Sequence, residues 1–499
     1  MEGKTRRKRQ DVKGEGRNIQ RRKATRSSCA QGGLKTAPRE LPQRTRGKKN
    51  SAGGQNQRTQ NKRTMEQLTL QIDNDEKLFE EIASERQLRS AFRAVKANRG
   101  APGVDGVSVE NFELYLDEEV FKLAEELREW RYEVQPVRRV RIPKPDGGER
   151  LLGVPTVRDR VVQCSIKMAL EARFEQCFSE SSFGFRPGRS QREALAQAKR
   201  LVNDGKRWVV DIDLEKFFDH MNHDQVLNRV RRKVKDKRVI RLIGMTLRSG
   251  VLDGMEYEPS DKGSPQGSPL SPLLSNILLD ELDKELERRG LNFCRFADDC
   301  NIFTGSKKAA ERVMSSVTKF IERRLGLKVN KEKSKVGLAD TVKFLGMTIR
   351  GGLLTVSRKA FNRAMSTVRE LTPRRTHVPW EEQIAKINQW YRGWSEYFGQ
   401  TELPSQLRHI EAHIRRRMRA QIVRNQKKRR TLYQRLRRKG ARASVARQVF
   451  NSHGNWWLSH CSPVEQVWSV RWFQAEGLLI VSNQERTHWQ PLALWIKFV

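Results

Sequence analysis

The chain has 499 residues, with 99 Lys or Arg against 59 Asp or Glu and a formal net charge of +40. A charge of that size and sign predicts a polyanionic partner, with nucleic acid the leading candidate. No apolar run approaches roughly 18 residues and no Cys-x-x-Cys pair occurs. A membrane span, a membrane partner and structural zinc are therefore not expected, and a reduced intracellular compartment fits best.

Residues 1–64 carry 20 Lys or Arg, four Asp or Glu and almost no large apolar side chains. Such a composition cannot form a core, so we predict a disordered basic arm that tethers RNA or DNA. A transit peptide is the alternative, although Glu15 and the Gly-Gly pairs fit one poorly. The basic opening residues lack the apolar segment of a secretory signal.

From Glu66 onward the apolar spacing becomes helical, and helices are predicted over 75–97 and about 111–129. Strands at Val137–Pro143 and Arg150–Val154 then flank a Pro-Asp-Gly-Gly hairpin turn. Lys144 and Arg150 stand at the two ends of this turn and could hold the same anion. Two ordinary exposed cations on a hairpin are the alternative.

A strand-forming run at residues 207–214 carries Asp211 and Asp213 on the same face, because strand side chains alternate. Further on, Asp298 and Asp299 separate two apolar runs, which predicts a strand, a tight turn and a second strand.

Carboxylates about 4 Å apart repel by roughly 4 kcal/mol per pair at an effective dielectric near 20, and divalent cations usually cancel that repulsion. If the first strand brings Asp213 beside Asp298 and Asp299, the three side chains complete a two-metal site. A solvated acidic loop is the alternative.

The remaining predicted helices cover about 156–178, 190–204, 223–249, 273–289 and 309–326, and the remaining strands cover 327–329 and 342–349. A rigid Pro/Gly-rich loop at 263–272 precedes the fourth of these helices. Strands and helices mix without regular alternation, which argues for an α+β fold rather than a doubly wound sheet.

No strand is predicted beyond residue 357. One apolar helical face is marked by Leu407, Ile410, Ile414 and Met418. The other faces of that helix carry Arg415, Arg416, Arg417 and Arg419. The tryptophans that follow are Trp456, Trp457, Trp468, Trp472, Trp489 and Trp495. They could stack on nucleic-acid bases, but the core of a small appendage is the favoured interpretation.

Seven motifs follow one another in a fixed order: 141–148 (RIPKPDGG), 153–160 (GVPTVRDR), 182–190 (SFGFRPGRS), 211–219 (DIDLEKFFD), 265–272 (PQGSPLSP), 296–299 (FADD) and 344–346 (FLG). In this order they resemble the bacterial group II intron-encoded reverse transcriptases/maturases, over about residues 66–450. The segment 390–398 resembles the part of the maturase domain that grips intron RNA.

The resemblance implies an α+β right-hand polymerase of fingers, palm and thumb, with a helical basic C-terminal region. The expected domains are the arm 1–64, fingers with N-terminal helices 65–205, palm 206–356, thumb or maturase domain 357–425 and a Trp-rich, DNA-binding-like region 426–499. The family's His/Cys-rich endonuclease is not recognisable in the last region, so cleavage of a second DNA strand is not expected.

The resemblance also implies site residues. Asp213, Asp298 and Asp299 match the carboxylates that bind two Mg²⁺ ions. Lys144, Arg150, Phe218, Gln266 and Gly267 match nucleotide-binding residues: the first two grip the triphosphate, Phe218 excludes a ribonucleotide 2′-hydroxyl, and the last two line the incoming base pair. Lys333 matches a lysine that protonates pyrophosphate. Phe296 replaces the usual Tyr of the aspartate turn, which removes a hydroxyl but no metal ligand.

The implied function is RNA-templated DNA synthesis in intron mobility, called retrohoming, with splicing help from the same protein. The implied partners are group II intron RNA, target DNA and deoxynucleoside triphosphates, and the four arginines 415–417 and 419 are expected to bind RNA or DNA. A bacterial cytoplasmic location, with the nucleoid or a ribonucleoprotein, follows from this. The oligomeric state follows from none of these features.

Two alternatives stay open. A maturase that no longer polymerises has no reason to retain Asp213, Asp298, Asp299 and Gln266 together. A related reverse transcriptase from a retron, a diversity-generating element or an antiphage system would lack the maturase-like segment at 376–420 or replace it.

Overall fold

The computed structural model describes residues 77–143, 147–426, 428–451 and 454–482. The predicted arm 1–64, Lys144, Trp489 and Trp495 lie outside these ranges. Within them, no helix is long and apolar enough to cross a membrane.

The amino-terminal part is mainly helical. Its elements are α1 (Leu78–Ile82), α2 (Glu85–Ala97), α3 (Val109–Leu114), α4 (Leu116–Arg128), β1 (Val137–Pro143), β2 (Glu149–Val154), α5 (Val157–Glu175) and α6 (Gln191–Asn203). The first predicted helix is divided at Ser84, whose side chain caps α2 by accepting from the Gln87 amide. The β1–β2 hairpin pairs as predicted, with Ile142 opposite Arg150.

The middle of the chain holds the central sheet. Its elements are β3 (Trp208–Ile212), α7 (Phe217–His220), α8 (His223–Arg231), α9 (Lys237–Leu247), β4 (Val251–Asp253), β5 (Glu256–Glu258), α10 (Ser271–Arg288), β6 (Asn292–Phe296), β7 (Asp299–Thr304), α11 (Lys307–Phe320), β8 (Lys335–Leu338), β9 (Met347–Arg350) and β10 (Leu353–Val356). A short π-helical turn, Ile321–Leu325, continues α11.

The central sheet has the strand order β6-β7-β3-β8, and every pair is antiparallel. Strand β3 therefore lies between β7 and β8, with Asp211 opposite both Asn301 and Lys335. A second sheet joins the β1–β2 hairpin to the short β4–β5 hairpin, and β9 pairs with β10 in a third. This topology brings the end of β3 next to the turn between β6 and β7.

The carboxy-terminal part is helical, and among the described residues no strand follows β10, as predicted. Its helices are α12 (Arg358–Leu371), α13 (Trp380–Phe398), α14 (Pro404–Asn425), α15 (Arg429–Arg438), α16 (Ala443–Ala446), α17 (Asn455–Leu458), α18 (Ser462–Val467) and α19 (Val470–Ala475), with a 3₁₀ turn at Arg447–Phe450. The predicted apolar face of α14 is buried at all four positions: Leu407, Ile410, Ile414 and Met418.

Three apolar clusters organise the described chain. The largest joins α1–α5 to the helix-covered face of the central sheet, and a second covers the other face with α6 and the β9–β10 hairpin. The third runs from Ala364 to Val481. The predicted end of the thumb at residue 425 therefore falls between α14 and α15, and both helices contribute to this third cluster.

Candidate active site

Asp298 and Asp299 lie at a two-residue turn between β6 and β7, where Phe296 pairs with Asp299. Ala297, the first turn residue, has a φ of 56°, a left-handed conformation that non-glycine residues rarely adopt. Gly184 packs so closely on this turn that a Cβ there would lie 2.2 Å from the Ala297 nitrogen. The predicted strand, turn and strand are confirmed, and a neighbouring loop holds the turn in place.

A buried polar network fixes the turn from below. Arg295 on β6 and Asp283 on α10 are both fully buried, and Arg295 Nε donates to Asp283 Oδ1 at 2.7 Å. Arg295 Nη1 also donates to Asn276 Oδ1 at 3.0 Å and to the Ala297 carbonyl at 2.9 Å. Asn276 in turn donates to the Gly184 carbonyl at 2.8 Å. The turn backbone is thereby tied to helix α10.

The sequence analysis did not identify this network, although two signals for it exist. Arg295 stands in an apolar strand between Cys294 and Phe296, where a charge needs a buried partner. Asn276 and Asp283 are seven residues apart, which places both on one face of a helix.

Asp213 follows the last residue of β3 directly. Its amide donates to Ser334 Oγ at 3.0 Å, and its carbonyl accepts from the Asn330 amide at 2.9 Å. Lys333, in the same loop, brings its Nζ to 3.9 Å from Asp213 Oδ1. The structure therefore brings the predicted lysine and the predicted aspartate together.

The aspartates at the end of β3 and at the β6–β7 turn interact electrostatically with one another. Desolvation, followed by the negative charges of Asp298 and Asp211, raises the pKa of Asp299 to about 7. Desolvation also raises the pKa of Asp298, with Asp213 adding to the rise and Arg150 opposing it. Asp299 still reaches solvent, and Asp298 is half-buried. The arrangement concentrates negative charge at an open surface.

The Pro/Gly-rich loop lies against both the β1–β2 hairpin and α7. The Gly153 amide of β2 donates to the Gln266 carbonyl at 2.9 Å, and the Ser264 amide donates to the Phe218 carbonyl at 2.7 Å. Phe218 is half-buried, with its ring 5.2 Å from that of Phe217. Phe218 and Gln266 are thus held by one loop, beside the strand that carries Arg150.

Comparisons with known proteins identify the family. Residues 142–349 match the reverse transcriptase (RNA-dependent DNA polymerase) family, and residues 361–440 match the group II intron maturase-specific domain. The chain is 34% identical over 312 residues to protein YkfC of Escherichia coli K12, which covers 54% of this chain and 82% of that protein. This chain belongs to the group II intron-encoded reverse transcriptase/maturase family.

Other family members match over a smaller part of their length. The group II intron-encoded protein LtrA of Lactococcus lactis is 35% identical over 206 residues, covering 41% of this chain and 34% of LtrA. The putative COX1/OXI3 intron 2 protein of Saccharomyces cerevisiae is 30% identical over 327 residues, covering 53% of this chain and 38% of that protein. The chain thus spans little more than a third of either relative.

The family assignment confirms the predicted fold class and enzyme class. The α+β fold is that of a right-hand polymerase, and the chain carries an RNA-directed DNA polymerase domain followed by a maturase domain. Such a nucleotidyltransferase domain generally depends on a divalent metal ion.

The aspartates fit such an ion by their donor chemistry. Hard divalent cations prefer carboxylate oxygens, and a bound cation would oppose the raised pKa values of Asp298 and Asp299, which are caused first by desolvation and then by neighbouring carboxylates. Within the described ranges, no three Asp, Glu, His or Cys side chains already form a coordination cluster. The assignment of Asp213, Asp298 and Asp299 as ligands therefore stays a prediction.

The four arginines of α14 have different surroundings. Arg419 is 6% exposed and donates to Glu465 Oε1 at 2.6 Å and to the Trp468 carbonyl at 2.9 Å. Arg417 donates to Thr372 Oγ1 at 2.7 Å. Both guanidinium groups are occupied by the protein itself.

Arg415 and Arg416 are half-buried, and their Nε atoms have no hydrogen-bond partner within the described chain. The contacts of Arg417 and Arg419 show that these two side chains also serve the fold. The prediction that the four arginines bind RNA or DNA stays a prediction.

Proposed function

We propose that this chain copies group II intron RNA into DNA with Asp213, Asp298 and Asp299 as its metal-binding carboxylates, and that it also assists splicing. The observation that carries the proposal is the register of β3 and β7, which pairs Ile212 with Cys300 and so brings Asp213 beside the β6–β7 turn, with Lys333 Nζ 3.9 Å from Asp213 Oδ1. Intron RNA, deoxynucleoside triphosphates and target DNA are the proposed substrates and partners. Intron mobility by retrohoming is the proposed process, in a bacterial cytoplasmic ribonucleoprotein or at the nucleoid.

The reaction is a phosphoryl transfer. The 3′-oxygen of the primer forms a bond to the α-phosphorus, the bond to the bridging oxygen breaks, and pyrophosphate leaves with that electron pair. When bound, two Mg²⁺ ions would favour ionisation of the attacking hydroxyl and stabilise charge on the leaving oxygens.

The remaining roles belong to side chains of this protein. Lys333 donates a proton to the leaving pyrophosphate. Arg150 and Lys144 neutralise part of the triphosphate charge. The positive charge of Arg150 also opposes the rise in the pKa of Asp298. Gln266 and Gly267 contact the base pair that the incoming nucleotide forms with the template. Phe218 packs against the sugar of that nucleotide.

We assign the predicted domains to these roles. Residues 65–205 act as fingers, 206–356 as palm and 357–425 as thumb and maturase domain, while 426–499 extends the surface that binds nucleic acid. The strand order around β3 supports the palm boundaries, since all four strands of the central sheet fall within them.

Substitution of Asp298 tests the proposal. Asp298→Ala should slow extension of a DNA primer on an RNA template by on the order of 10³-fold or more, because catalytic groups that act as a unit fail together. Affinity for the primer–template at equilibrium should stay near that of the wild type. Asp340→Ala, at an exposed aspartate of the loop after β8, is the matched control and should extend normally.

The same variant separates the two proposed activities. If Asp298→Ala abolishes DNA synthesis yet splices intron RNA at the wild-type rate, polymerase and maturase functions reside in different surfaces. Near-normal DNA synthesis by Asp298→Ala would contradict the catalytic assignment, whereas a wild-type chain that splices the intron and makes no DNA would favour a protein that acts as a maturase alone.

A further inference from the structure

The tryptophans of the carboxy-terminal helices fall into two groups. Trp468 is fully buried, and Trp472 packs with its ring 6.0 Å from Trp380 and 5.0 Å from Phe473. For these two, the favoured interpretation as core residues is confirmed. The adjacent residues Trp456 and Trp457 on α17 are 39% and 65% exposed, so they do not belong to the core.

Trp456 is stacked on a cation. The Arg416 guanidinium carbon lies 4.1 Å from the centre of the Trp456 ring, and the His413 ring lies edge-on at 6.1 Å. Both side chains come from α14, so the long helix supports the short one. The Trp456 ring is thereby held at a defined position while part of it stays open to solvent.

Arg416 keeps unused hydrogen-bonding capacity at this position. Its Nε is buried without a partner, whereas its two terminal nitrogens make no hydrogen bond or ion pair to any residue in the part of the chain that the structure describes. Arg419, three residues further along α14, is instead neutralised by Glu465. A guanidinium group that stacks on an indole and keeps free N–H donors suits an anionic ligand with a flat ring.

The exposure of Trp457 has no explanation within the described fold. A single exposed apolar side chain is ordinary, but two adjacent indoles that both reach solvent form a contiguous aromatic surface, which is the kind of patch that marks a binding site. The surrounding charge indicates the kind of ligand, because residues 408–442 contain 15 Lys or Arg and one Glu. A phosphate backbone would be attracted there, and its unpaired bases could stack on an indole.

We propose that Trp456, Trp457 and Arg416 form a stacking ledge that binds an unpaired base of single-stranded nucleic acid. The indole of Trp457 covers one face of the base, and Arg416 contacts the adjoining phosphate from beside Trp456. The ledge lies outside the polymerase domain and includes none of the proposed catalytic or nucleotide-binding residues. Its ligand is therefore a strand bound in addition to the nucleotide being incorporated.

Binding of short fluorescent oligonucleotides to the full chain tests the ledge. The probes are a 12-nucleotide oligothymidylate, the matching oligouridylate, a 12-base-pair duplex and an abasic 12-mer. Stacking is worth about 1–3 kcal/mol per base, so Trp457→Ala should weaken single-strand binding by about 5- to 150-fold. Trp457→Phe should retain most of the affinity, and duplex binding should change little.

The abasic probe isolates stacking from phosphate attraction. The wild-type chain should bind it about as weakly as Trp457→Ala binds the base-containing strand, and Trp457→Ala should not weaken it further. Tyr115→Ala is the matched control, because Tyr115 is 64% exposed on the amino-terminal part of the chain. It should bind every probe normally.

Three results would overturn the ledge. Trp457→Ala could bind the single strands as tightly as the wild type, it could lose duplex and single-strand binding equally, or it could lose abasic binding as well. Unfolding midpoints of all variants identify a loss caused by misfolding. If Trp457→Ala is unstable, the wild-type chain still decides the test, because equal affinity for the abasic and the base-containing strands would overturn the ledge. Comparison of the two single strands shows whether the ledge prefers RNA or DNA.

Discussion

Phe218 lies half-buried at the loop that carries Gln266, and it is the residue that we propose selects the sugar. A ring beside the 2′-position excludes a hydroxyl by steric clash alone. Phe218→Ala should admit ribonucleotides while deoxynucleotide incorporation continues. The ratio of kcat/KM for the two nucleotides measures this change, and an unaltered ratio in an active variant would exclude Phe218 as the gate.

The buried pair of Arg295 and Asp283 makes the turn sensitive to a single substitution. Asp283→Asn leaves the buried guanidinium without its charge partner, and breaking such a pair costs about 3–5 kcal/mol. The free energy of unfolding in denaturant should fall by that amount, and DNA synthesis should fall as the turn loses its support.

Glu285→Gln on the same helix is the control for this prediction. Glu285 pairs at 2.7 Å with both Arg288 and Arg289, whose side chains are 71% and 26% exposed, so its loss should cost less than about 1 kcal/mol for each pair. Equal stability of the two variants would contradict the role assigned to the buried network.

At the scale of elements, α14 begins against the exposed edge of β10. Gln406 Oε1 accepts from the Val356 amide at 2.9 Å, and Gln406 Nε2 donates to the Val356 carbonyl at 2.9 Å. Glu402 likewise accepts from the Leu354 amide at 2.7 Å through its side chain. These side chains make the hydrogen bonds that another strand would make, and so they fix the carboxy-terminal helices on the β9–β10 hairpin.

Gln406→Ala should weaken the contact between α14 and β10 without changing the proposed catalytic carboxylates. Two buried backbone groups of Val356 lose their partners, and an unpaired buried polar group costs about 1–3 kcal/mol. We expect shorter DNA products per binding event and an unchanged rate for the first added nucleotide. Gln400→Ala is the control, since Gln400 donates only to an exposed carbonyl. Unchanged product lengths would exclude a positioning role for Gln406.

Some strands of this fold can be predicted from local sequence patterns, and others cannot. The β6–β7 hairpin was predictable because its alternation and its turn residues are local signals. The β4–β5 hairpin was missed, since β5 is exposed at all three positions and carries no apolar pattern. Strand β8 was missed because pairing with β3, rather than its own composition, makes it a strand. The predicted strand at 342–349 begins only at Met347.

At the scale of the whole molecule, the net charge of +40 predicted the kind of partner but not the residues that meet it. The sequence showed four arginines on the polar faces of α14. It could not show that α18 supplies Glu465 to Arg419, or that the Thr372 carbonyl and hydroxyl receive Arg417. Those partners lie 45 or more positions away along the chain.

The arrangement of the carboxylates also depends on contacts between residues that are distant in the sequence. Residue types and order predicted which aspartates matter, and the resemblance supplied their roles. Their convergence depends on the placement of β3 between β7 and β8, which is a long-range property of the sheet. We therefore propose that carboxylates from two separate strands form one catalytic centre.

A double-variant cycle tests whether Asp213 and Asp298 belong to one catalytic centre. Single-turnover extension of a DNA primer on an RNA template is measured for Asp213→Asn, Asp298→Asn and the double variant, all nearly isosteric with the wild type. If both carboxylates serve one centre, each single variant loses most of the rate and the double variant is about as slow as the slower single one. A double variant whose loss equals the product of the two single losses, or a single variant near the wild-type rate, would contradict a shared centre.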